Sequence, residues 1–283
     1  MLFIIGIVVV FASVFGGYVL SHGELLALWQ PFEILIIGGA AFGAFLIANS
    51  PKVIKSVFAA IPALFAGSRF SRAVFIDLLS LLYDLFDKSR RAGVMAIEAD
   101  VDDPENSEIF QRYPAIMRMV NVRDFITDYL RIVSTGNMAP HELEGLMDLE
   151  IETRLQELDK PAEAVNKVAD ALPGFGIVAA VLGIVITMKS LGGPPEELGV
   201  HVAAALVGTF FGILLAYGFV GPASTALHGI AATEIKAYEC VKVSILATMS
   251  GLAPQLAIEF GRKALNSDVR PTFQELNDHV RSR

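Results

Sequence analysis

The stretch Ala171–Met188 reads ALPGFGIVAAVLGIVITM and carries no charge between Asp170 and Lys189. Crossing a hydrocarbon core of ~30 Å takes roughly 20 helical residues, so this stretch is read as a membrane span. Three further windows share its character. Leu2–Leu20 and Ile34–Pro51 contain no charge, and Leu198–Thr233 is charge-free between Glu197 and Glu234, longer than one crossing needs. The 283 residues are 54% hydrophobic and 18% charged. Soluble domains carry about 25% charge, so the apolar surplus belongs in lipid. The first window lacks a basic leader and an Ala-x-Ala exit, and a second apolar window follows closely. A retained anchor is expected rather than a signal peptide.

Charge is partitioned sharply along the chain. Lys52–Asp170 holds 34 of the 52 charged residues, and the tail after Gly221 holds 13. The connectors Ser21–Glu33 and Ser190–Glu197 carry Glu24, Glu33, Glu196 and Glu197 but no Lys or Arg. By the positive-inside rule these connectors face outward, while the block, the tail and both termini are cytoplasmic. The expected architecture is an all-α integral membrane protein: four transmembrane helices with a large helical cytoplasmic domain between the second and third. Residues 1–51 form a hairpin of spans 1 and 2, 52–170 the cytoplasmic domain, 171–221 spans 3 and 4, and 222–283 a cytoplasmic helical tail.

Within the cytoplasmic block, Phe75, Leu78, Leu79, Leu82, Leu85 and Phe86 recur at steps of three and four, the mark of a helix with one buried face. Cations at Lys88, Arg90 and Arg91 followed by Gly93 predict its end. Asp102–Asn106 reads as a turn, and further helices are expected over Ala115–Ser134 and Ala139–Leu158. Ala223–Met249 reads as helix continuing the fourth span. No strand alternation, repeat or low-complexity tract is present.

Several functions are disfavoured. One cysteine, Cys240, leaves no disulfide framework, CxxC pair or cysteine-based zinc cluster, and a net charge of −8 opposes a nucleic-acid footprint. There is no P-loop, HExxH or GxSxG. Gly174–Ala179 fits G-x-G-x-x-A, but it opens an apolar span instead of following a strand, and helix packing explains it better. Ala204, Gly208, Gly212 and Ala216 recur every four residues, as do Gly39/Gly43 and Ala179/Gly183. Such faces let helix backbones approach, within one bundle or between chains.

The more telling feature is an absence. Ion-handling membrane proteins usually keep an ionisable residue within the bilayer. Here no carboxylate, Lys or Arg lies inside a span; Glu33 and Lys189 sit at the edges, and His201 is read as interfacial. A titrating group would have to come from a partner helix. Polar pathway candidates are then Thr209, Tyr217 and Thr187, against the ordinary habit of a span threonine bonding its own i−4 carbonyl. Pro173 and Pro222 flank the third and fourth spans, where proline starts or ends helices as a rule and can also serve as a paired kink. Arg90 and Glu98 in the cytoplasmic block read at first as a solvated face.

Residue patterns then point to a family. Ala171-Leu172-Pro173-Gly174-Phe175-Gly176-Ile177-Val178-Ala179-Ala180-Val181-Leu182-Gly183 resembles the third-span signature of MotA, the flagellar motor stator subunits. Ala205–Gly218 with Gly221-Pro222 resembles the fourth, and Glu108–Pro114 is similar to a cytoplasmic segment of the family. The resemblance runs along essentially the whole chain. It implies a homo-oligomeric ring, a pentamer, in the bacterial inner membrane around MotB helices. MotB supplies a membrane aspartate and anchors to peptidoglycan, and the cytoplasmic domain pushes on the rotor protein FliG. By the same resemblance Arg90 and Glu98 face FliG, and Pro173 and Pro222 couple ion passage to motion. Thr209 faces the MotB aspartate, with Ala180 and Tyr217 nearby. Sodium-driven relatives carry threonine where Ala180 stands; alanine removes that oxygen ligand, so H+ is the expected coupling ion and no cofactor is implied.

Competing readings remain. ExbB/TolQ-type energisers of an envelope system belong to the same superfamily but usually have three spans, and the additional hairpin and the Arg90/Glu98 region favour the stator. A solute transporter predicts a self-contained intramembrane polar site or repeat symmetry, and neither is seen. A purely structural scaffold would be indifferent to Thr209. None of these readings is a classical enzyme.

Overall fold

The computed structural model describes residues 2–136, 138–189 and 195–281. Of the expected connector Ser190–Glu197, residues 190–194 and the side chains of Glu196 and Glu197 lie outside the described residues, as does the Lys189 side chain. The described chain is helical: α1 (Leu2–Leu20), α2 (Pro31–Ala48), α3 (Pro51–Ala66), α4 (Arg72–Ala92), α5 (Glu98–Asp102), α6 (Glu108–Gln111), α7 (Pro114–Met117), α8 (Val120–Thr135), α9 (Pro140–Lys189), α10 (Pro195–Leu215), α11 (Gly221–Met249), α12 (Pro254–Ala264) and α13 (Phe273–Arg281). Short 3-10 turns occupy Leu25–Leu28 and Val94–Ile97, and a π-helical turn occupies Ala216–Val220. Two compact units form, one of residues 1–67 and 158–230, the other of 68–157 and 231–283.

The first unit contains the apolar windows. Among the described residues, four helices are long and apolar enough to cross a membrane. Helix α1 buries no residue and touches its neighbours through aromatic rings, Phe11 on Phe219 at 5.0 Å and Phe3 on Phe65 at 5.7 Å. The core lies between α2, α9 and α10, where Ile37, Ala41, Leu172, Ala179 and Ala216 are buried with Phe175 and Phe211 against them. Helices α9 and α10 meet backbone to backbone. A Cβ on Gly212 would stand 2.8 Å from the Leu172 carbonyl oxygen and 2.9 Å from Gly176 Cα. Further along, a Cβ on Gly208 would stand 3.2 Å from Ala179 Cβ, and one on Gly183 3.0 Å from Ala205 Cβ. The small-residue stripes of the third and fourth spans therefore pack on each other. Gly39 and Gly43 have no such neighbour within 4 Å in the chain.

The second unit is built on α4. Ser71 Oγ caps it by accepting from the Val74 N–H, and Phe75, Leu78, Leu79, Leu82, Leu85 and Phe86 are buried at helical spacing. Gly93, at φ +91°, ends it in a conformation that costs glycine little. Phe125 packs edge-on against the fully buried Tyr238 at 5.0 Å.

Two expectations differ from the structure. The helix expected over Ala115–Ser134 is two helices, α7 and α8, separated at Met119, whose ψ of 68° is not helical. The helix expected to stop at Leu158 instead runs on through Pro161 and Pro173 as one 50-residue element into the third span. Each proline removes one helical N–H donor, but the turns around them bury Ala162, Ala164, Ala169 and Leu172, and that packing outweighs the lost bonds.

The backbone contact gives a direct prediction. Gly212→Ala destabilises the chain by about 1–3 kcal/mol because backbone atoms cannot yield, whereas Gly39→Ala meets open space and stabilises it by up to about 1 kcal/mol. Thermal unfolding midpoints of the detergent-purified chain distinguish the two.

Candidate functional site

The backbones of two of the expected pathway residues border the contact between α9 and α10. A Cβ on Gly176 would stand 3.4 Å from Thr209 Cα, and one on Gly208 would stand 3.6 Å from the Ala180 nitrogen. Thr209 and Ala180 thus flank one patch of touching backbone, and both are half-buried. Among the described residues the Thr209 hydroxyl has no hydrogen-bond partner. Thr187 differs: it is buried and its hydroxyl donates to the Gly183 carbonyl at 2.8 Å, the ordinary i−4 bond. That bond leaves Thr187 no hydroxyl proton to offer a pathway. Tyr217 lies eight residues beyond Thr209, about 12 Å along a helix axis. It is 71% exposed and sits in the π-helical turn.

The two prolines stand at different kinds of place. Pro173 is half-buried inside α9, directly after Leu172, whose carbonyl faces Gly212. Pro222 is exposed and is the second residue of α11. Just before it, the Gly221 N–H donates to the Ala216 carbonyl five residues back, the widened spacing of a π turn. Proline at 222 supplies no donor and crowds the carbonyl four residues earlier, so the wider turn relieves the helix there. Nothing in the sequence pattern announced this π turn.

In the second unit Arg90 stands in the last turn of α4 and Glu98 begins α5. Both are exposed, and among the described residues neither has an ion-pair or hydrogen-bond partner. Arg91 is engaged with Asp87 at 2.9 Å. Two carboxylates draw notice that the sequence did not single out for function. Glu33 Oε2, in the first turn of α2, is buried without a hydrogen-bond partner. Glu234 in α11 is half-buried; desolvation raises its pKa, and the nearby Arg154 and Arg69 only partly oppose this. No group of three or more metal-ligating side chains occurs among the described residues.

These features define an integral membrane protein whose spans carry a small polar patch and no charge of their own at it. Residues 4–93 match the family model for the motility protein A N-terminal region, and residues 120–240 match the MotA/TolQ/ExbB proton channel family. The chain is similar to Motility protein A of Salmonella typhimurium, with 49% identity over 282 residues, 100% of this chain and 96% of that one. Its structure is similar to C. jejuni MotAB, with a TM-score of 0.77 at 20% identity, over 94% of this chain and 96% of the other. It is also similar to the flagellar MotAB stator complex from Bacillus subtilis, with a TM-score of 0.66 at 25% identity, over 90% and 92%. The chain belongs to the motility protein A family. The match at 4–93 includes the amino-terminal hairpin that the three-span energisers were expected to lack.

Glu234 supplies a pH prediction. Its raised pKa means that the folded state disfavours the ionised form, so the penalty is present at neutral pH and disappears as pH falls through the folded pKa. Glu234→Gln therefore raises the unfolding midpoint at pH 7–8, and the gain shrinks as pH is lowered toward the ordinary carboxylate value of 4.5. Midpoints measured across pH for both chains check the sign.

Proposed function

We infer that this chain is a stator subunit of the bacterial flagellar motor that works with MotB to turn proton flow into torque on the rotor protein FliG. One observation carries the ion-handling part of this reading. The charge-free spans hold Thr209, whose hydroxyl has no partner among the described residues, at the α9–α10 backbone contact that Ala180 also borders, and those windows contain no carboxylate of their own. A carboxylate from a partner helix would complete that site, and the MotB aspartate is such a group. Thr209 donates or accepts a hydrogen bond there as the carboxylate changes protonation state, and the apolar walls keep water out.

Ala180 supports protons as the coupling ion. A hard cation such as Na+ needs oxygen ligands, and a methyl group offers none. Tyr217 lines the cytoplasmic side of the route. Pro173 and the Pro222 π turn interrupt regular hydrogen bonding in α9 and α11, the two helices that contribute residues to both units. They are the places where either helix yields most easily when the partner carboxylate is neutralised. Several copies, five in this reading, ring the MotB helices in the inner membrane. Both termini, residues 52–170 and the 222–283 tail lie in the cytoplasm, where Arg90 and Glu98 meet opposite charges on FliG.

Two tests follow. Thr209→Trp abolishes rotation while the complex still assembles in the membrane, and rotation at parental speed would remove the pathway role. Exposed ion pairs are each worth ~0–1 kcal/mol, so Arg90→Ala or Glu98→Ala alone reduces swimming mildly. The double reversal Arg90→Glu with Glu98→Lys reduces it far more, as swim-plate expansion measures.

A further inference from the structure

The connection between Arg90 and Glu98 is a weak spacer by itself. It consists of Gly93, at φ +91°, and one 3-10 turn over Val94–Ile97, with Val94 and Met95 exposed. Glycine is the residue that least restricts its backbone. A polar tie nevertheless spans it. Lys88 Nζ donates to Asp100 Oδ2 at 2.6 Å, between residues twelve apart in sequence. Asp100 Oδ1 accepts from Ser107 Oγ at 2.7 Å, and that hydroxyl oxygen accepts from the Ile109 and Phe110 N–H groups at 3.2 and 3.3 Å. Asp100 is 6% exposed and Ser107 5%. On the far side of the same segment Arg131 donates to Asp102 Oδ1 at 2.7 Å and to the Val101 carbonyl at 2.9 Å.

Lys88 lies two residues before Arg90, and Asp100 two residues after Glu98. The tie therefore clamps both ends of the segment that carries the two exposed charges. We propose that Asp100 is a positioning residue for the rotor face: through Lys88 and Ser107 it holds Glu98 at a fixed separation from Arg90. The partner's complementary charges then meet the pair in one register. The proposal rests on the reading of Arg90 and Glu98 as the rotor-facing residues. Its chemistry is independent of that reading, because a buried carboxylate requires partners for both oxygens, and here one is a cation on α4 and the other the hydroxyl that caps α6.

The test uses the full chain assembled with its partner. Asp100→Asn keeps the side-chain shape and an acceptor for Ser107 but removes the charge that holds Lys88. Lys88→Gln breaks the same tie from its more exposed end, and Lys88→Arg restores a cation. Nitroxide labels at Arg91→Cys and Ala99→Cys, in labelled subunits diluted with unlabelled ones, report the separation; Cys240 is fully buried and stays unlabelled. The expected result is one narrow distance in the parent and with Lys88→Arg, and a broad distribution with Asp100→Asn and Lys88→Gln. In unlabelled cells, torque per incorporated stator falls by up to about fivefold in the two broken variants, the loss of one exposed pair's ~1 kcal/mol, and recovers with Lys88→Arg. A narrow distance in both broken variants overturns the tie. A broadened distance with parental torque per stator overturns the rotor-face reading instead. Should Asp100→Asn fail to accumulate, the Lys88→Gln and Lys88→Arg pair decides the matter alone.

Discussion

The third and fourth spans touch through their backbones at Gly176 and Gly212, and most of the first unit depends on that contact. Lipid gives no hydrophobic reward for joining two apolar helices, so association must come from close dispersion contact. Glycine and alanine at four-residue spacing provide the necessary flatness. The backbones of Thr209 and Ala180 both border the same contact, which also turns the Leu172 carbonyl, just before Pro173, toward Gly212. Packing and site geometry are thus one arrangement: a larger side chain at 212 would displace Thr209 and Ala180, the proposed pathway residues, along with the helices.

A second constraint is dielectric. Keeping an ionised side chain in hydrocarbon costs several kcal/mol unless it is paired. Away from Glu33 at the start of α2, the described apolar windows avoid that cost, and under the proposed function a partner supplies the titrating group. Outside the membrane the opposite holds, and charge is tied down deliberately. Lys88, Asp100 and Arg131 are spent on internal bonds, while Arg90 and Glu98 remain available. Under the proposed function that surface engages and releases a moving partner, and it gains from contacts that are individually weak but held in register.

Much of this was legible in sequence because each signal was local or strictly periodic. The four apolar windows, the leucine repeat of α4 and its stop at Gly93 all follow from composition and spacing. The long α9 was not legible, since Pro161 and Pro173 argue locally for breaks and only burial of the surrounding alanines overrides them. The π turn before Pro222 depends on a hydrogen-bond shift with no compositional mark. Thr187 and Thr209 look alike as span threonines; only the fold shows that one hydroxyl bonds its own helix while the other has no partner among the described residues. The Lys88–Asp100–Ser107 tie joins residues that look like scattered charges on a solvated face. The family resemblance singled out Arg90 and Glu98 but gave no hint of what holds them.

The central claim is that this chain generates torque only when a partner supplies the carboxylate that its own spans lack. Rotation of tethered cells devoid of other stators, with this chain expressed alone or with MotB, tests it most directly. The account predicts rotation only with both chains, abolished by a protonophore and indifferent to sodium. It also predicts that neutralising the MotB membrane aspartate stops rotation without preventing assembly. Rotation that survives loss of that aspartate, or flagella that never turn although both chains are in the membrane, would contradict it.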